Sequence, residues 1–304
     1  MKSYNNNVVL HIGMYKTGST FLQECIEESK ISTHQVYLPG SELVIKLLEY
    51  LDEPEEDSKN TIYKILKKSE APIFISSEGI LGHQANGFCK VSKRFSLLEE
   101  LFNCPKYLIF YREPSSLIYS GYYQGLRNKI DLYSFKDYST KKIESLLSIE
   151  PKDFTQPTNY KIYNFLELFK NYLTIQERCK FVEFEKFFSN NPQASSELVK
   201  FIGFEVKLDF EKKSNPSLKN LIYYNFYNRF ILFKISKFLF LLIFRMFTFK
   251  KNNKSILVDK LIGFINKIFN SEGIKIIRRD SDDHLKKIKQ FHFQSYLEFK
   301  NQIK

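Results

Sequence analysis

The sequence predicts an α/β protein: a parallel, doubly wound sheet, followed by a basic helical extension. Two observations predict the sheet. Short runs rich in β-forming residues alternate with helical patterns. Those runs are apolar nearly throughout instead of alternating, as strands covered on both faces should be. A third observation sets the extension apart. The net charge is +12, and residues 205–304 hold 21 Lys and Arg against 9 Asp and Glu, while residues 1–204 balance. Attraction to anions through bulk charge is therefore a property of the last hundred residues.

In chain order, "VVLHIG" (8–13) is the first strand, and Phe21, Leu22, Cys25 and Ile26 mark one face of the helix after it. "SELVIKLLEYL" (41–51) and "TIYKILKKS" (61–69) read as helices, and "PIFISSEG" (72–79) as a strand. "VSKRFSLLEELF" (91–102) is a helix and "KYLIFYR" (106–112) a strand. "SSLIYSGYYQGLRN" (115–128) and "NYKIYNFLELFKNYL" (159–173) are helical, and "KFVEFE" (180–185) is the last strand. The boundaries predicted are an α/β domain over 1–215 and a helical, basic, aromatic extension over 216–304. The segment from 216 is too broken for a bilayer span. Its longest uncharged apolar run is Phe238 to Phe244, and a spanning helix needs ~20 residues.

Composition narrows the classes further. Cys25, Cys89, Cys104 and Cys179 are scattered, with no Cys-x-x-Cys pair, which fits free thiols in a reducing compartment. The five histidines are spread too widely for a metal site, so none is expected. The N-terminus lacks the apolar stretch of a signal peptide, and a cytoplasmic chain is expected. No nucleic-acid recognition module accompanies the basic charge.

In a doubly wound sheet, ligands lie beyond the carboxyl ends of the strands. Three stretches fall there. "HIGMYKTGST" (11–20) follows a strand and opens a helix, so its amides and the helix dipole suit an anion. It departs from Gly-x4-Gly-Lys-[Ser/Thr], because Lys16 precedes Gly18 and Ser19 stands where that lysine would be. Thr17, Ser19 and Thr20 add hydroxyls. A loop of this kind suits one terminal phosphate; the competing reading is a turn that merely caps the helix. In "YREPSSLIYSGYYQGLR", Arg112 ends a strand and Ser120 lies eight residues on, along a helix begun by Pro114. Together they would hold a second phosphate; the alternative is a surface Arg–Glu pair and a helix-interior serine.

The two stretches together resemble the sulfotransferase superfamily, whose donor is 3′-phosphoadenosine-5′-phosphosulfate (PAPS). "HIGMYKTGSTFLQ" is similar to the family's 5′-phosphosulfate loop. "REPSSLIYS" is similar to its 3′-phosphate motif, Arg-x-Pro with a serine at the same offset. "TNYKIYNFLELF", "KFVEFEKFF" and "KSNPSLKNL" extend the likeness weakly, over about residues 8 to 225. The resemblance implies a P-loop-like fold and transfer of a sulfuryl group from PAPS to a hydroxyl. Lys16, Thr17, Gly18, Ser19 and Thr20 would hold the 5′ end, and Arg112 and Ser120 the 3′-phosphate. Lys16 would also neutralise the leaving oxygen, and no metal would be required.

Transfer to a hydroxyl needs a base. In "ISSEGILGH" (75–83) Glu78 is the first choice and His83 the second, with a turn-capping carboxylate as the structural alternative. Ser76 and Ser77 either touch the donor or cap the turn. Arg127 reads as a solvated helix arginine or a further anion contact. For 219–254 three readings stand: a platform for an anionic glycan acceptor, a peripheral helix against acidic lipid at the inner membrane face, or packing on the domain or on a homodimer partner. A small-molecule kinase on a related fold is the rival enzyme, and a non-catalytic, membrane-associated binding protein the rival of another class.

Overall fold

The computed structural model describes residues 7–82, 88, 90–127, 165–189, 192–210, 286, 289–290 and 292–303. Contacts divide the chain into two compact units. One comprises residues 1–117, 142–214 and 289–304, and the other 118–141 and 215–288. The stretch 219–254 lies outside the described residues, as do His83, Cys89 and the "KSNPSLKNL" segment.

The first unit is built on a five-stranded, all-parallel sheet in the order β2-β3-β1-β4-β5. Its strands are β1 (Val8–Gly13), β2 (Gln35–Tyr37), β3 (Ile73–Ser76), β4 (Lys106–Tyr111) and β5 (Cys179–Glu183). β1 and β3 are buried along their whole length and β4 nearly so, which is why their sequences read as unbroken apolar runs. β5, on the edge, is mostly half-buried.

The helices are α1 (Ser19–Glu28), α2 (Glu42–Asp52), α3 (Glu56–Leu66), α4 (Val91–Phe102) and α5 (Pro114–Arg127). Then come the short α6 (Phe165–Leu168) and α7 (Lys170–Leu173), α8 (Phe184–Phe188) and α9 (Pro192–Ile202). A last helix, α10, runs over 292–302. β2 was not foreseen; it is three half-buried or exposed residues held by pairing with β3. The third helix begins at Glu56, five residues before the predicted start, and carries Glu56 and Asp57 in its first turn, where acids favour the dipole. The strand predicted over 180–185 stops at Glu183, and the residues after it turn into α8.

One side of the core gathers Phe21, Leu22, Cys25 and Ile26 of α1, the face predicted for that helix. Against them pack Phe74, Phe110, Phe187 and Leu198. α10 belongs to this unit. Its fully buried Phe299 meets the rings of Tyr111, Phe165, Phe169 and Phe181. Lys300 and Tyr296 of α10 both donate to Glu183 at 2.8 Å.

The topology fixes where a ligand can sit. From β1 the chain moves to β2 and β3 on one side, and from β4 to β5 on the other, so the winding reverses between β1 and β4. The crevice opens at such a reversal. The loops leaving these two adjacent strands are the two predicted from sequence: residues 14–18 and Arg112–Glu113.

Candidate functional site

The β1–α1 loop owes its path to two left-handed residues, Lys16 (φ 68°) and Gly18 (φ 90°). Left-handed residues in such a turn swing successive amides into one concavity. Gly18 is required twice over. Its φ is costly for an L-residue, and a Cβ there would lie 2.4 Å from the Phe188 ring. Gly18 is also the residue before α1, and no side chain caps that helix. The first-turn amides of α1 therefore face outward with the positive end of the dipole.

The loop hydroxyls differ in state. Thr17 is fully buried, and its Oγ1 donates to the Met14 carbonyl at 2.6 Å, bracing the loop from inside. Thr20 is exposed. Ser19 is 1% exposed, yet its Oγ closes no hydrogen bond of standard geometry among the described residues. A buried hydroxyl with no partner costs free energy unless something supplies one. It lies beside the Glu78 carboxyl, close enough to favour its charged form.

Glu78 opens a single 3-10 turn, Glu78–Ile80, at the carboxyl end of β3. Burial pushes its carboxyl above the ordinary 4.5, and the Ser19 hydroxyl and Lys16 ammonium pull the other way without cancelling that push. The fold thus brings together Lys16, Ser19 and Glu78 from two loops. The turn is clamped from behind. Arg94 of α4, 5% exposed, donates to the carbonyls of Gly79 at 2.5 Å and Ile80 at 3.3 Å, and pairs with Asp52. Tyr15 sits beside this group, its hydroxyl raised by burial first and then by Glu78.

The serines before Glu78 are occupied. Ser77 Oγ caps the turn by accepting from the Gly79 amide at 3.2 Å. Ser76 Oγ accepts from Gln23 at 2.9 Å and bonds His11 Nδ1 at 2.7 Å. His11 is neutral, because burial drives its pKa down to about 3.

Arg112 follows β4 and is held on three sides. Its Nε donates to Glu185 Oε1 at 3.1 Å, its Nη1 donates to the Lys16 carbonyl at 3.3 Å, and its guanidinium lies 4.1 Å from the Phe184 ring centre. The Lys16 bond ties the second predicted stretch to the first. The Arg–Glu pair considered for Arg112 does form, with Glu185 and not with the adjacent Glu113. Glu113 instead accepts from Ser115 Oγ at 2.5 Å and from the Ser116 amide at 2.9 Å, capping α5. Ser120 lies half-buried on α5, in the stretch grouped with the second unit, and Arg127 ends that helix.

Sequence reading missed α8 as part of this site. Phe184 lies over Arg112, Glu185 pairs with it, and Phe184 and Phe188 both press on Gly18. The signal was present in "FEKFF", with one acid and three rings, of which the strand predicted over 180–185 takes in only Phe184 and Glu185. Among the described residues no group of His, Cys, Asp and Glu could hold a metal ion, and no helix is long and apolar enough to cross a membrane.

No family model matches the chain, and no curated protein matches it. Solved structures similar to it include sulfotransferases. One from Alicyclobacillus acidocaldarius is 18% identical with a TM-score of 0.47, over 72% of this chain and 89% of that one. The sulfotransferase domain of the Synechococcus PCC 7002 olefin synthase is 14% identical with a TM-score of 0.40, over 72% and 82%. Mouse sulfotransferase SULT7A1, solved with PAP, is 12% identical with a TM-score of 0.40, over 69% and 63%.

Proposed function

We propose that the chain is a sulfotransferase that uses PAPS and transfers its sulfuryl group to a hydroxyl, on a carbohydrate or glycolipid. The observation that carries this reading is the uncapped start of α1. The buried Ser19 hydroxyl, first-turn amides and Lys16 stand together there, with Glu78 alongside. Such a set wants an anion that brings its own acceptor oxygens, as a phosphate does. The lysine lies before the second glycine, which suits a single 5′-phosphosulfate better than a γ-phosphate.

In this reading the amides of Thr17 to Thr20 hold the 5′-phosphate, and Arg112 with Ser120 holds the 3′-phosphate. The acceptor oxygen bonds to sulfur as the bond from sulfur to the 5′-phosphate oxygen breaks. Glu78 takes the acceptor proton, and a carboxyl raised by burial is a stronger base than a solvated one. Lys16 meets the charge that grows on the departing phosphate oxygen, so it acts more strongly in the transition state than before it. Positioning and charge supply most of the effect, as in phosphoryl transfer.

The stretch 219–254 would meet an anionic glycan or an acidic membrane surface, or would join two copies. Salt-sensitive pelleting of the intact protein with anionic liposomes separates the membrane case from the others.

Thermal unfolding with PAP, PAPS, ATP–Mg and GTP tests the proposal. PAP and PAPS should each stabilise the protein, by ~2.7 kcal/mol at a hundred times the dissociation constant. Stabilisation by ATP–Mg with none by PAP would instead make the chain a kinase-like phosphate binder. PAP binding without any PAPS turnover would make it a non-catalytic binding protein.

A further inference from the structure

We infer that Glu185 is a positioning residue that fixes Arg112 so that the site tells a 3′-phosphorylated nucleotide from one without that phosphate. The inference rests on the PAPS reading above and adds a residue to it. An arginine on a loop can point many ways, and a free guanidinium would spend conformational entropy on each ligand it grips. Here that freedom is already gone. Glu185 takes Nε at 3.1 Å, the Lys16 carbonyl takes Nη1 at 3.3 Å, and the Phe184 ring covers one face. Nη2 has no hydrogen-bond partner among the described residues, which leaves a fixed donor edge for an anion.

Three features make Glu185 a strut and not a surface partner. It projects from α8, whose Phe184 and Phe188 are packed on Gly18, so the backbone that carries it is tied to the loop. Its Oε2 is buried and unpartnered, although the side chain as a whole is 39% exposed. Its bond goes to Nε, at the stem of the guanidinium, which leaves Nη2 at the far end for a ligand.

The opposite role would be a carboxylate that occupies the anion's place and must be displaced. The two roles give opposite signs on substitution. A strut, when lost, weakens selective binding; a competitor, when lost, strengthens it.

The test is calorimetric titration of PAP and of AMP, at fixed salt, into the parent and into Glu185→Gln. The parent should prefer PAP. Glu185→Gln should bind AMP as the parent does and lose about tenfold in PAP affinity, since a charge-assisted bond is worth about that much. Parental AMP binding shows the loop intact, which a simple folding defect would not give. If Glu185→Gln binds neither nucleotide, Glu185→Asp replaces it, and its PAP preference should fall partway. Unchanged or tighter PAP binding in the variant that folds overturns the inference and leaves the PAPS reading standing. A parent that binds PAP no better than AMP overturns both.

Discussion

Two glutamates stand at the carboxyl edge of one sheet, and their surroundings assign them different work. Glu78 sits in a desolvated turn clamped from behind by Arg94, with the Lys16 charge close by. Burial there raises its proton affinity, and the Lys16 charge only tempers that rise. Glu185 is bonded to Arg112 over the edge of an aromatic packing layer. One carboxyl holds its proton more tightly than a solvated one, and the other is paired with a cation. The residue type is the same, so the role is read from desolvation and partner.

The largest effects should come from the Glu78 side. Lys16→Ala removes a charge that meets the ligand in both ground and transition states. PAP affinity should fall by ~1.5–3 kcal/mol, with a further loss in PAPS turnover of about a hundredfold, read by PAP release. Glu78→Gln keeps shape and loses basicity, so PAPS turnover alone should fall by at least about a hundredfold. Parental turnover in Glu78→Gln would move the base elsewhere, with His83 next to be changed.

On the Arg112 side the losses should be in binding. Arg112→Ala should cost ~1.5–3 kcal/mol in PAP affinity, and Ser120→Ala less, by calorimetry. An Arg112→Ala variant that binds PAP as the parent does would remove the second phosphate grip from the account.

Gly18 joins the two regions through Phe184 and Phe188. Gly18→Ala should lower unfolding stability by ~1–2 kcal/mol from its left-handed φ alone, with more from the displaced ring, read by denaturant unfolding. A variant as stable as the parent would show that the loop can take another path.

The smallest effect should be in pH dependence. The Glu78 carboxyl is raised, so the folded chain holds a proton that the unfolded chain releases. That contribution is fully present below the ordinary 4.5 and is lost as pH rises through the raised value. In thermal unfolding across that window, Glu78→Gln should lose less stability than the parent. The same shift should place the acid limb of turnover above the range of a solvated glutamate.

What the sequence showed was local. The β1–α1 loop is a contiguous run whose glycines, hydroxyls and lysine declare themselves together. The buried strands β1, β3 and β4 are apolar because both faces are covered. What it hid was tertiary. Glu185 lies 73 positions from Arg112, and no spacing rule links them. The approach of Ser19 and Glu78 depends on β1 and β3 lying side by side, with His11 opposite Ser76. β2 exists only by pairing with β3, and three residues carry too little pattern to announce it. α8 was hidden by the strand before it, because its rings continue the apolar run.

The most direct test of the contrast between the two glutamates is the PAP dissociation constant, measured by calorimetry in Glu78→Gln and in Glu185→Gln under one set of conditions. The account expects a parental value for Glu78→Gln, whose side chain serves the proton and not the phosphates, and about tenfold weaker binding for Glu185→Gln. The reverse pattern, with Glu78→Gln weakened and Glu185→Gln parental, would contradict it.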